Sequence, residues 1–136
     1  LKLMQDNGIF LATSNRNEGW GATINEAMSM SCCVIASEEM GSVPYLIKDG
    51  TNGLSYRDND VGSLYKKIEI ALSFPEFALE YGAKAANDIK GNWSARTAAK
   101  RFFVLACDVM GNELFRFPRL PLWDDAPLSG SVHTPN

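Results

Sequence analysis

The chain has 136 residues, a formal charge of −3 and ordinary apolar and charged fractions, enough material for one domain with one core. No basic stripe marks it as a nucleic-acid binder, and no apolar run is long enough to span a bilayer. Its single histidine, His133, lies in a Pro/Ser-rich tail, which excludes a histidine-based triad or a histidine-rich metal site.

Residues 1–6 read as the end of a helix already under way. With Leu1 in place of Met, they suggest a piece of a longer protein without a secretory signal, and a cytosolic setting is expected. Asn7-Gly8 ends that helix. Residues 9–13 form a continuous apolar run of strand length, as expected of a parallel strand covered on both faces. A polar loop from Ser14 to Asn17 leads into Glu18-Gly19-Trp20-Gly21-Ala22-Thr23-Ile24-Asn25-Glu26. In the helix that follows, Ile24, Ala27, Met28 and Ser31 fall on one face for packing against a sheet, and Glu26 projects from the other side. Strand, glycine-containing loop and helix together aim backbone N–H groups and a positive dipole end at a bound anion.

Residues 32–36 are a second buried strand, which completes a β-α-β unit. Cys32 and Cys33 then face opposite sides of it, and with Cys107 they read as buried small hydrophobes. The loop from Ser37 to Gly41 leaves the carboxyl end of that strand, the edge where open parallel sheets bind ligands. One helical turn is expected at residues 43–47, with Pro44 near its start. Lys48-Asp49-Gly50-Thr51-Asn52-Gly53 is turn chemistry, with Gly50 and Gly53 free to take positive φ, and residues 53–56 are a short third strand. Asp60 is the expected N-cap of a helix over 61–73 with a Leu64, Ile68, Leu72 stripe. Pro75 opens a second helix, interrupted only at Gly82 and closed by Gly91-Asn92. Ser94 caps a last one through Ala98, Phe102, Leu105 and Val109. Arg16 reads as a solvent-exposed loop residue, and Lys66-Lys67 as a solvated helix face.

Glu18 and Glu26 are separated by seven residues, and Glu26-Ala27-Met28 continues the motif. Then follow Val34-Ile35-Ala36-Ser37, Gly41 and Asp49-Gly50-Thr51-Asn52-Gly53-Leu54, with Trp93-Ser94-Ala95 before the terminal helix. In order and spacing these blocks resemble the second half of the nucleotide-sugar domain of family 4 retaining glycosyltransferases, over about residues 7–110. The resemblance implies an α/β fold: a partial Rossmann-like, doubly wound parallel sheet of about three strands with flanking helices, then C-terminal helices and an irregular tail. It also implies a partial donor-binding domain over 1–111, a Pro-rich tail over 112–136, and an N-terminal half of the same enzyme upstream.

By the same resemblance, Glu26 binds the ribose hydroxyls and Glu18, the catalytic candidate, lies beside the donor sugar. Gly19, Trp20, Gly21, Ala22 and Thr23 approach the sugar and diphosphate. The implied reaction is metal-independent transfer, with retention, from a UDP- or GDP-sugar to a saccharide or glycolipid acceptor. No cofactor is expected. The setting implied is polysaccharide synthesis in the cytoplasm or at the cytoplasmic membrane face, with the chain alone inactive. Departures fall on the donor side: Ser31-Cys32-Cys33 stands where Gly-x-Pro is frequent, Ser42 where a second glycine is, and Tyr45 where a glutamate is. A nucleotide-sugar epimerase or hydrolase of similar architecture, or a non-catalytic α/β interaction module, remain the alternatives.

Overall fold

A computed structural model describes residues 2–110. In chain order the elements are α1 (Lys2–Asp6), β1 (Ile9–Ala12), α2 (Ala22–Ser29), β2 (Cys33–Ser37) and α3 (Val43–Leu46). After them come β3 (Leu54–Tyr56), α4 (Val61–Ser73), α5 (Pro75–Asn92) and α6 (Ala95–Val109). The strands form one parallel sheet in the order β1-β2-β3, with Leu11 opposite Ile35 and Ala36 opposite Ser55. All three carboxyl ends therefore meet at one edge, from which residues 13–21, 38–42 and 57–60 emerge as loops. The expected α/β architecture is the one observed. The expected tail, residues 112–136, lies outside the described residues.

β2 is buried along its whole length, and its side chains alternate between two cores. Cys32, Val34 and Ala36 meet Ile24, Ala27 and Met28 of α2 and Ala85 of α5 on one face. Cys33 and Ile35 meet Leu54 and Tyr56 of β3, Ala71 of α4 and Ala78 of α5 on the other. The adjacent cysteines thus do face opposite ways, and all three thiols are buried and free. Burial, helped by the neighbouring Cys32, pushes the Cys33 thiol up to about 11, which keeps it neutral and apolar in behaviour.

Caps explain the helix starts. Asp60 Oδ1 accepts from the Ser63 amide at 2.9 Å to begin α4, and Ser94 Oγ accepts from the Thr97 amide at 3.2 Å to begin α6. The turn before β3 is held by a residue whose role the sequence did not announce. Asn52 is buried, accepts from the Lys48 amide at 2.7 Å, and donates to the Leu46 carbonyl at 3.0 Å and to Asp88 Oδ2 of α5 at 2.7 Å. One side chain thereby satisfies three partners and ties the turn to a helix.

Several expectations need correcting. β1 ends at Ala12 and is not covered on both faces: Phe10 and Ala12 pack on the α2 side, whereas Leu11 points to the opposite face and is exposed. α2 stops at Ser29, and Ser31 is exposed in the left-handed region at φ 62° instead of extending the packing face. The inner stripe of α4 is Leu64, Ile68 and Ala71, and Leu72 faces solvent. Gly50 takes the expected positive φ but Gly53 does not. Gly53 is needed for space, since a Cβ there would lie 3.0 Å from the Val34 carbonyl oxygen. Lys67 is not simply solvated; it pairs with Asp49 at 2.6 Å.

Nor does Gly82 interrupt α5. The helix runs through it, and the missing side chain is what lets α5 lie on the turn between α2 and β2. A Cβ on Gly82 would sit 2.0 Å from the Ser31 carbonyl oxygen. Alanine in a helix interior normally adds about 1 kcal/mol over glycine, so this contact should reverse the sign. Gly82→Ala is expected to lower the urea midpoint, corresponding to about 1–3 kcal/mol. Gly91→Ala, in the same helix with nothing within 4 Å of the new Cβ, should leave it unchanged or raise it.

Candidate functional site

The loop between β1 and α2 is built in two steps. Asn15 makes the first turn: its carbonyl accepts from the Glu18 amide and its Oδ1 from the Asn17 amide, each at 3.0 Å. That turn presents Glu18 to solvent at the carboxyl edge of the sheet. Gly21 makes the second step, in the left-handed region at φ 75° and ψ 60°, as the N-cap of α2. Being glycine, it supplies no capping side chain. The first-turn amides of Ala22 and Thr23 have no partner within the helix by construction, and both residues are exposed.

A second loop closes on the first. A Cβ on Gly41 would fall 1.9 Å from the Gly19 carbonyl oxygen, so the two backbones touch. The Ser42 amide donates to the Trp20 carbonyl at 3.1 Å. Arg16 pairs with Glu39 across the same gap at 2.7 Å, although the pair is too exposed to contribute much. Met40 and the buried Ser42 lie over Gly21: a Cβ there would meet Met40 Cε at 2.8 Å and Ser42 Oγ at 3.8 Å. Among the described residues Ser42 Oγ has no hydrogen-bond partner.

Each expected site residue can now be placed. Glu18 folds back toward the start of α2, with its Cγ 3.5 Å from where a Gly21 Cβ would be. Gly19 and Gly21 carry the two close backbone approaches, to Gly41 and to Met40. Trp20 is half-exposed, and its Nε1 donates to Asn25 Oδ1 at 2.8 Å. Ala22 and Thr23 form the open first turn, and Glu26 is exposed one turn further along α2. Neither glutamate is buried against the core. Arg16 is exposed as expected, but it is spoken for by Glu39.

Sequence reasoning missed the contribution of residues 38–42 to the shape of this loop. The only signal was Gly41 itself, whose need for a missing side chain is set by a partner 22 positions away. A separate cavity of about 400 Å³ is lined by Glu38, Asp49, Ser55, Arg57, Asp60 and Lys66, among others. Its charges are mixed, and it does not include the Glu18 loop. Among the described residues no three His, Cys, Asp or Glu side chains gather to hold a metal ion. No helix there is long and apolar enough to cross a membrane.

A family model described as "Glycosyl transferases group 1" matches residues 1–88. The chain belongs to this glycosyltransferase family. Among curated relatives, a lipopolysaccharide core biosynthesis mannosyltransferase, LpcC of Rhizobium leguminosarum, is 28% identical over 104 residues, covering 76% of this chain and 29% of that protein. A trehalose synthase of Pyrococcus horikoshii is 32% identical over 85 residues, covering 62% of this chain and 20% of that protein. The chain therefore spans less than a third of the length of these relatives.

Solved structures agree on the fold. TarM superposes with a TM-score of 0.67 at 24% identity, over 76% of this chain and 21% of that one. A glycosyltransferase from Rickettsia africae superposes with 0.68 at 22%, over 81% and 29%. A sucrose-phosphate synthase from Thermosynechococcus elongatus superposes with 0.60 at 22%, over 68% and 23%.

If the glycosyltransferase loop depends on its backbone contact with residues 41 and 42, Gly41→Ala should push the two segments apart. Hydrogen exchange at the Ser42 amide is expected to speed up by about tenfold or more, while amides of β2 keep their protection. Unchanged exchange at Ser42 would show that the contact is dispensable.

Proposed function

We propose that this chain forms part of the donor site of a glycosyltransferase that uses a UDP- or GDP-sugar. The observation that carries the reading is the start of α2. An N-terminus without a side-chain cap begins at a left-handed glycine on the carboxyl edge of a parallel sheet, with an exposed glutamate on either side of it. Open amides and the helix dipole favour an anion there, by about 0.3–1 kcal/mol for the dipole alone. Carboxylates accept hydrogen bonds from vicinal hydroxyls, and such charge-assisted bonds are the strong ones.

In this reading Glu26 accepts from the two ribose hydroxyls and Glu18 from hydroxyls of the transferred sugar. The backbone from Gly19 to Thr23 faces the sugar and diphosphate. Transfer proceeds with retention and without a metal. The bond from the anomeric carbon to the phosphate oxygen breaks while the acceptor oxygen bonds to the same face, and the acceptor proton passes to the departing diphosphate. The α2 amides stabilise the charge that the diphosphate gains. The further basic groups that a diphosphate requires, and the acceptor domain, would come from upstream sequence, so residues 1–136 alone should be inactive. The relatives' names point to different products, a lipopolysaccharide core for one, trehalose and sucrose phosphate for others. The reading accordingly stops at a saccharide or lipid-linked acceptor, handled in the cytoplasm or at its membrane face.

Calorimetry with UDP and GDP tests this, on the chain extended upstream to the length of its relatives. Glu26→Ala should weaken nucleotide binding about 10- to 100-fold, as expected for losing charge-assisted bonds to a diol. Glu18→Gln should leave the free nucleotide within about twofold and remove the preference for the sugar-bearing form. Unaltered nucleotide affinity in Glu26→Ala would overturn the assignment.

A further inference from the structure

One buried side chain beside the Glu18 loop has nothing to bond to. Ser42 is 0% exposed, and among the described residues its Oγ has no hydrogen-bond partner. Its position, just before α3, would ordinarily explain a serine. Ser94, at the corresponding place before α6, accepts from the Thr97 amide, and Asp60 accepts from the Ser63 amide before α4. Ser42 does neither. A capping side chain goes with an extended backbone, whereas Ser42 is already helical at φ −83° and ψ −22° and makes no side-chain cap. Its carbonyl serves the turn instead, accepting from the Tyr45 amide at 3.0 Å and the Leu46 amide at 2.9 Å.

The hydroxyl is aimed at the beginning of α2. Of all the atoms of Ser42, Oγ comes nearest to the place where a Cβ on Gly21 would be, at 3.8 Å. Glu18 Cγ approaches the same point to 3.5 Å, and Met40 Cε to 2.8 Å. The hydroxyl and the glutamate thus flank one residue without a side chain, at the uncapped end of an eight-residue helix. The backbone around them is fixed. The Ser42 amide bonds to the Trp20 carbonyl at 3.1 Å, and Gly41 lies against Gly19. Met40 is different: an unbranched side chain whose methyl covers Gly21, it can turn without any shift of the backbone.

Chemistry decides what the hydroxyl would meet. A hydroxyl buried without a partner is disfavoured relative to one in water, and a ligand that brings an acceptor offsets that cost. The acceptor has to sit beside the Glu18 carboxylate, which when ionised only accepts. A phosphate oxygen there would face a like charge. A sugar hydroxyl suits both neighbours: its proton goes to Glu18, and its oxygen accepts from Ser42 Oγ. A site built in this way to bond an OH rejects the analogue that lacks it more strongly than an apolar pocket can.

We propose that Ser42 Oγ donates to a hydroxyl of the transferred sugar, the one whose proton Glu18 accepts, once the Met40 methyl turns aside. This rests on the reading of the Glu18 loop as a donor-sugar site, and it adds a residue that selects the sugar. The test is Ser42→Ala in the chain extended upstream to the length of its relatives. Calorimetry uses UDP, GDP, UDP-glucose, UDP-N-acetylglucosamine and GDP-mannose, and thermal unfolding is followed without them. A nucleotide-sugar that binds the parent should bind the variant about tenfold more weakly, with UDP and GDP within about twofold. The Tm should stay level or rise, because only an unpartnered hydroxyl is lost. The proposal fails if the sugar-bearing form loses nothing, or if the free nucleotide weakens by the same factor. It fails if none of the three nucleotide-sugars binds while a free nucleotide does. A lower Tm also overturns it, since the hydroxyl would then have a partner within the longer protein. The donor-site reading is judged separately, by Glu26→Ala on UDP and GDP alone: nucleotide binding that depends on Glu26 keeps that reading even where Ser42→Ala changes nothing. If neither nucleotide binds, both fall together.

Discussion

The site depends on one backbone contact. Gly19 and Trp20 lie directly against Gly41 and Ser42, near enough that a single methyl group on Gly41 would collide with a carbonyl oxygen. Because the two loops leave neighbouring parallel strands, this contact converts two flexible connections into one shaped edge. Glu18, the left-handed Gly21 and the start of α2 take their positions from it, and the Ser42 amide locks it by bonding to Trp20. Trp20 and Tyr45 are both tied to Ser42, and their rings stack with centroids 5.8 Å apart.

The rest of the fold serves to place those loops. β2 is buried throughout and sends alternate side chains into two cores, which fixes the register of both neighbours. The glycine at position 82 brings α5 against the turn after α2, and Asn52 ties the turn before β3 to the same helix. These are close-approach and buried-polar contacts, the kinds for which a one-atom change is felt most.

Much of this was legible in the sequence, for physical reasons. Long apolar runs, the Asp60 and Ser94 caps and the turn residues are local signals, and the strands and helices followed them. The opposite facing of Cys32 and Cys33 followed from strand geometry alone. Legibility failed where the deciding partner is distant. Leu11 reads as a buried strand residue, yet no helix covers its face of β1 closely enough to bury it. Gly82 reads as a helix breaker, but it is a packing glycine. At the site, Glu18 and Glu26 are singled out only through the resemblance of their motif and its flanking blocks to a family, and both are exposed. The meeting of Trp20, Tyr45 and Trp93, spread over 74 positions of sequence, carries no local signal at all.

The central claim is that the edge shaped by residues 19–21 and 41–42 receives the diphosphate of a nucleotide-sugar at the start of α2. A crystal structure with a non-transferable UDP- or GDP-sugar bound, of the chain extended upstream to the length of its relatives, tests it most directly. The account predicts phosphate oxygens within hydrogen-bonding distance of the Ala22 and Thr23 amides, ribose hydroxyls on Glu26 and the sugar against Glu18. A nucleotide-sugar seated elsewhere, with that helix end in contact with water alone, would contradict it.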